Sequence, residues 1–268
     1  MAFERLASPE GVVWLRSGLL ASRGIPHGFS TRLGGESPAP FDSLNLGLAD
    51  APGEPDAWDR VDRNWARLLR ATGLEGRVLV RLRQVHGHAV READREVDVA
   101  RTAPPFADGD AIVTADAAQV VSVRIADCGP VLISDPQARI VAAIHAGWRG
   151  VCANIVSHAV ARMVARGAKV DRMVAAVGAC IGREAFEVGE DVKLAMEQVG
   201  LGQFVVPGTG GTRWRADLAG AIGEQLLGAG IAAARIDLDR RCTVADPDLF
   251  SYRRDGARSG RMAALIGP

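Results

Sequence analysis

The sequence predicts a single domain of mixed α and β structure, and three observations carry that expectation. Short apolar, β-branched runs cluster from Val78 onward, segments with helical apolar spacing lie before and after them, and no Gly/Pro linker separates two cores. A chain of 268 residues that is 48% hydrophobic and 24% charged is long enough to bury one sizeable core, which sets the domain as residues 1–268.

Taken in order, the segment Met1 to Trp14 carries Glu4, Arg5 and Glu10 among its apolar residues, so it has no unbroken apolar stretch of the secretory type. Pro26 to Gly53 is rich in Gly, Pro, Ser and Asn and reads as a long irregular loop after a short strand. Trp58, Val61, Trp65, Leu68 and Leu69 recur at three- and four-residue spacing and predict a helix that ends at Gly73. The runs VLVRL, AIVT, QVVSVRI, VLIS and RIVAAI then predict strands of one contiguous sheet. Helices are expected at Val151–Arg166, Glu190–Val199 and Ala216–Ala229, and further strands at Met173–Val177, Ile236–Leu238 and Met262–Ile266.

Thirty-two basic residues balance thirty-two acidic ones. No summed field exists to hold nucleic acid or an anionic membrane, and the apolar runs fall far below the ~20 residues of a membrane helix. Small, locally recognised partners and a cytoplasmic location follow as expectations. The four cysteines form no CxxC pair, which fits a reducing compartment and argues against a structural zinc knuckle.

The stretch ADCGPVLISDPQARIVAAIHAGWRG places two β runs around Asp135-Pro136, a turn signal that predicts an antiparallel hairpin. With Pro136 and Gln137 as a two-residue loop, Cys128 falls directly opposite His145, close enough for both to hold one ion. His86, in RQVHGH after the first strand run, supplies a third ligand. Two imidazoles and one thiolate leave a tetrahedral zinc with an open position, the arrangement of a catalytic rather than a structural site; copper is the alternative metal. His88 is a spare ligand if the strand continues. His158 shares a polar helix stripe with Asn154 and Arg162 and reads as solvated, whereas Cys152 reads as core.

At these residues the sequence resembles the YfiH family of laccase-domain proteins, through HGFSTRLGGES, SLNLG, QVHG, DGDAIVT, ADCGPVLISDP, IHAGWRG, GACIG, FEVGEDV, CTV and FSYRRDGARSGR in order. The resemblance implies zinc ligation by His86, Cys128 and His145, which are also the catalytic set, and a single-domain fold with sheets layered between helices. It implies phosphorolysis of adenosine, inosine, guanosine and methylthioadenosine, with adenosine deamination alongside. Copper-dependent polyphenol oxidation and a Cys-His amidase that edits peptidoglycan precursors are the competing activities. The chain departs from the family pattern where a second cysteine and an aromatic hydroxyl are replaced in GACIGREAF, and where Asn64 is followed by Trp65. Arg149, before a helix and one short turn beyond His145, is the strongest candidate for holding phosphate; Arg32, Arg253 and Asn45 are further candidates for substrate contact.

Overall fold

Apolar residues at both parities of the central strands require cover on both faces, and stacked sheets supply it. The computed structural model describes residues 3–47, 56–93, 106–208 and 213–268. The first half of the chain forms β1 (Phe3–Ala7), β2 (Val13–Ser17), α1 (Gly18–Ala21), β3 (His27–Ser30), α2 (Trp58–Ala71), β4 (Val78–Val80), β5 (Val90–Glu92), β6 (Ala111–Thr114) and β7 (Gln119–Ile125). There follow β8 (Gly129–Asp135), β9 (Ile140–Ala146), α3 (Trp148–Cys152), α4 (Ile155–Ala165), β10 (Val174–Val177), β11 (Glu187–Val188) and α5 (Glu190–Gln198). The chain closes with β12 (Val205–Pro207), β13 (Trp214–Ala216), α6 (Leu218–Gly228), β14 (Ile236–Leu238), α7 (Tyr252–Asp255) and β15 (Met262–Ile266).

One six-stranded sheet has the order β1-β2-β3-β15-β7-β4, a second has β14-β10-β8-β9-β6-β5, and β11-β13-β12 form a small third. The first is antiparallel except for β4 on β7; the second is antiparallel except at its edges, β5 on β6 and β14 on β10. The five β runs therefore do not make one contiguous sheet. VLV and QVVSVRI belong to the first sheet, and AIVT, VLIS and IVAAI to the second. The chain changes sheet just after β7, where Asp127 adopts φ 93.

Strand periodicity divides the core. Along β9, Ile140, Ala142, Ile144 and Ala146 join the cluster that contains Ile155, Val156 and Met163 of α4 and Ile222 and Leu226 of α6. Val141 and Ala143, one residue out of phase, join Val121, Val123, Ala264 and Ile266 between the two sheets. Ala263 and Leu265 of β15 meet Val61, Trp65 and Leu68 of α2 on the far side. The layers run helix, sheet, sheet, helix, and each fully buried Leu, Ile or Val contributes about 1.5 to 3 kcal/mol.

The helix expected at Val151–Arg166 is two helices. Asn154 takes the left-handed conformation, φ 57, which Asn tolerates better than most residues, and the chain turns there between α3 and α4. The irregular loop after β3 appears as expected through residue 47; its expected continuation to Gly53 lies outside the described residues. Asn64 of α2 orders it: the side-chain oxygen accepts Glu36 N–H, and the amide donates to Ser37 Oγ and the Asn45 carbonyl at 2.9 Å each. Gly34, at φ 91, lets this loop cross the turn after β1, since a Cβ there would lie 2.2 Å from the Gly11 carbonyl oxygen.

His27 ties β3 to β2. Its Nδ1–H donates to the Ile25 carbonyl at 2.8 Å and its Nε2 accepts Ser17 N–H at 3.0 Å, which uses both nitrogens of a neutral ring. Burial, the largest influence, holds its pKa below the ordinary 6.5. A folded pKa below the unfolded one means that this stabilisation is present above about pH 6.5 and is lost as pH falls toward the lowered value. Urea unfolding at pH 7.5 and 5.5 should show wild type losing more stability than His27→Gln, by up to about 1.4 kcal/mol per pH unit within that window.

Candidate metal centre

The hairpin between β8 and β9 forms, but with a four-residue loop, 136–139, instead of the expected two. Asp135 pairs with Ile140, so His145 lies opposite Pro130 and not opposite Cys128. The physical reason is turn chemistry: a plain type I turn splays a two-residue hairpin, whereas a longer loop built on it fits. Asp135 Oδ1 caps that turn by accepting Gln137 and Ala138 N–H, and Arg139 closes it at φ 54. The register moves by two residues, and an even shift keeps Cys128 and His145 on one side of the hairpin.

Cys128 sits in the bend before β8, on a peptide segment gripped from several sides. Thr243 Oγ1 donates to Asp127 Oδ1 at 2.5 Å, Arg253 N–H to Asp127 Oδ2 at 2.6 Å, and Ile181 N–H to the Asp127 carbonyl at 2.8 Å. His86 lies in the bend between β4 and β5 with φ 57, and its ring centroid is 4.9 Å from that of His145 in an edge-to-face pose. One ligand-type atom from each of His86, Cys128 and His145 lies within 4.8 Å of the others. A Cβ at Gly147 would stand 3.2 Å from Cys128 Sγ and 3.3 Å from His86 Cδ2, so the glycine of HAGWRG leaves the space beside these side chains open.

Asp110, which no local sequence pattern marks as part of this group, organises it. It is fully buried at the start of β6. One carboxylate oxygen accepts His145 Nδ1–H at 2.8 Å and His86 N–H at 3.0 Å; the other accepts Gly87 N–H at 2.7 Å and Val85 N–H at 3.2 Å. One side chain thus fixes the His145 tautomer, leaving Nε2 toward Cys128, and holds the backbone that carries His86. The nearest signal is the DGD preceding the AIVT run, an acidic residue at the mouth of an apolar strand.

Electrostatics follow from these contacts. Burial pushes the Cys128 thiol up, but the charge and hydrogen bonds of His145, with those of His86, bring its pKa down to about 6. Burial disfavours charged His145, yet the Cys128 thiolate and Asp110 raise its pKa to about 9. Burial opposes ionisation of Asp110 as well, and its hydrogen bonds from His145, Gly87 and Val85 outweigh that, holding its pKa below the ordinary value. A thiolate ready at neutral pH, two imidazoles and a carboxylate behind one of them suit zinc or copper.

His86, Cys128 and His145 line a cavity of about 900 Å³ with Arg124, Arg149, Arg253 and Arg261 and the rings of Trp148, Phe186 and Tyr252. Arg149 is exposed, its guanidinium 4.3 Å from the Trp148 ring, and no described carboxylate pairs with it. Arg253 also lines the cavity, though its guanidinium donates to the carbonyls of Ala185 and Glu187. Arg32 and Asn45 lie outside the lining. Arg32 is held by Asp42 and the Phe250 ring. Asn45 is fully buried and accepts Arg261 N–H at 2.9 Å, so it reaches the cavity only through that backbone. His88 turns to His158 rather than to the His86, Cys128 and His145 group, and Cys152 is only half-buried against the core.

Fold and site define a class: a single-domain α+β protein with a His-Cys-His group beside a β-hairpin. Residues 26–268 match the family described as multi-copper polyphenol oxidoreductase laccase, and the chain belongs to that family. It is 41% identical over 257 residues to a purine nucleoside phosphorylase of Deinococcus radiodurans, covering 96% of this chain and 93% of the relative. It is 39% identical to a purine nucleoside phosphorylase of Mycobacterium tuberculosis, covering 88% and 89%. Among solved structures, YlmD from Geobacillus stearothermophilus matches with TM-score 0.83 and 30% identity, and a Bacillus licheniformis protein YfiH with TM-score 0.86 and 25% identity; each match covers 98% of both chains. Among the described residues no helix is long and apolar enough to cross a membrane.

Proposed function

We propose that this chain is a metal-dependent purine nucleoside phosphorylase that also deaminates adenosine, with zinc held by His86, Cys128 and His145 and with phosphate as co-substrate. The observation that carries this reading is a metal-competent triad opening onto a cavity that mixes arginines with aromatic rings. The relatives named purine nucleoside phosphorylase support purine nucleosides with phosphate as the substrate class; within it, adenosine, inosine, guanosine and methylthioadenosine are the substrates of this proposal. When bound, the metal supplies Lewis acidity and a water acidic enough to lose its proton near neutral pH.

The chain's own residues then divide the remaining work. Asp110 keeps His145 in one orientation, Trp148, Phe186 and Tyr252 offer faces for a purine, and Arg149 presents an uncommitted guanidinium to phosphate. Phosphorolysis must bind the anion and deamination need not. Arg149→Ala should therefore lower phosphorolysis by about 10- to 100-fold, through phosphate KM, and leave adenosine-to-inosine conversion within about twofold. Equal losses in both assays would remove Arg149 from the phosphate site.

The alignment of Asp110, His145 and Cys128 favours one second reading, a metal-free Cys-His amidase with Cys128 as nucleophile. The two readings separate in chelator-treated protein. A phosphorylase should lose turnover and regain it with zinc, whereas an amidase should keep turnover without metal and lose it on alkylation of Cys128. Phenol oxidation with copper-loaded protein tests the activity that the family description carries.

A further inference from the structure

Of the chain's five histidines, His27 is consumed in joining β2 to β3, and His86 and His145 belong to the centre. The remaining two, His88 and His158, come from segments 70 residues apart and meet on the surface beside it. Their ring centroids are 5.2 Å apart with planes tilted by 31°, and both residues are exposed. Two imidazoles on one tetrahedral ion, with metal–nitrogen bonds of ~2.0 to 2.1 Å, bring ring centroids to about 5.2 Å. The His86–His145 pair of the candidate centre stands at 4.9 Å, nearly the same separation.

The spacing is set by the frame and not by the side chains alone. His88 follows Gly87, whose N–H is held by Asp110, and leads into β5. His158 lies on α4, which is locked to β5 where Arg162 and Arg166 bind the two oxygens of Glu92 at 3.0 and 2.9 Å. The same strand–helix seam that joins Glu92 to α4 therefore presents His88 to His158. Both rings are exposed, whereas His145 is buried.

We propose that His88 and His158 form a second, solvent-facing binding site for a divalent transition ion such as zinc or copper, with water completing the coordination. It does not rest on the nucleoside reading. Two neutral imidazoles without a thiolate bind more weakly than the His86–Cys128–His145 set, so the exposed site fills second and exchanges freely, next to the backbone that carries His86.

Cobalt(II) titration of the chelator-stripped full chain tests it, because a thiolate–cobalt charge-transfer band reports the Cys128 centre and total bound cobalt reports both sites. Wild type should bind two equivalents, with the band complete after the first. His158→Ala and His88→Gln should each bind one equivalent and keep the full band. A single equivalent in wild type at millimolar cobalt, or two equivalents retained in both variants, would overturn the proposal. Failure of the Cys128 centre is distinguishable, since it would show as loss of the charge-transfer band in wild type.

Discussion

Cys128→Ala is expected to yield folded protein without stoichiometric metal and without measurable phosphorolysis or deamination. The side chain is the only sulfur of the triad and the group whose pKa falls to about 6, so its removal deletes both a candidate metal donor and the charge that raises His145. A bound metal contributes several kcal/mol to stabilising developing charge, so both activities should drop together by about 10³-fold or more. Elemental analysis of protein purified without chelator or nickel resin checks the first part: wild type should carry about one tightly held zinc, the variant none. Full zinc retention in Cys128→Ala, His86→Ala and His145→Ala alike would place the metal elsewhere.

Asp110→Asn should produce the second largest effect, although Asp110 need touch neither metal nor substrate. Its carboxylate serves His145 Nδ1–H and three backbone N–H groups around His86, and an amide in its place offers one accepting oxygen and one donor. Loss of a carboxylate behind a ligating histidine costs roughly 10- to 100-fold in metal affinity or activity. The variant should release zinc to a competing chelator faster, recover kcat in excess zinc, and leave KM for nucleoside near the wild-type value. The sign of its pH dependence is fixed: a folded carboxylate pKa below the ordinary value contributes stability that is present above about pH 4 and is lost as pH falls through the lowered value. In acid denaturation, Asp110→Asn should therefore lose less stability than wild type between pH 5 and 3, starting from a lower plateau. Unchanged zinc release would show that the carboxylate supports the loop alone.

Much of this molecule is written in local pattern. QVVSVRI, MAALI and IDL become β7, β15 and β14 with the expected bounds, because β-branched runs between turn residues have few other ways to satisfy both burial and backbone hydrogen bonds. The α2 stripe of Val61, Trp65 and Leu68 is likewise legible, since helical period alone puts those residues on one face. Residue type and hairpin parity bring His86, Cys128 and His145 together, and the longer loop leaves Cys128 and His145 on one face because a shift of two residues returns each side chain to the same side. The sequence by itself thus determined the fold class and most elements, and it pointed to His86, Cys128 and His145 as one group. Only the tertiary structure decided the rest. Whether adjacent strands share a sheet depends on the sheet change beside Asp127, which no periodicity records. Asp110 meets His145 across 35 residues, and His88 meets His158 across 70, so neither pair leaves a local trace. Arg32 and Arg149 are equivalent as letters, yet one is tied to Asp42 while the other opens onto the cavity, because the partner of a long charged side chain is set by what the fold brings within its reach.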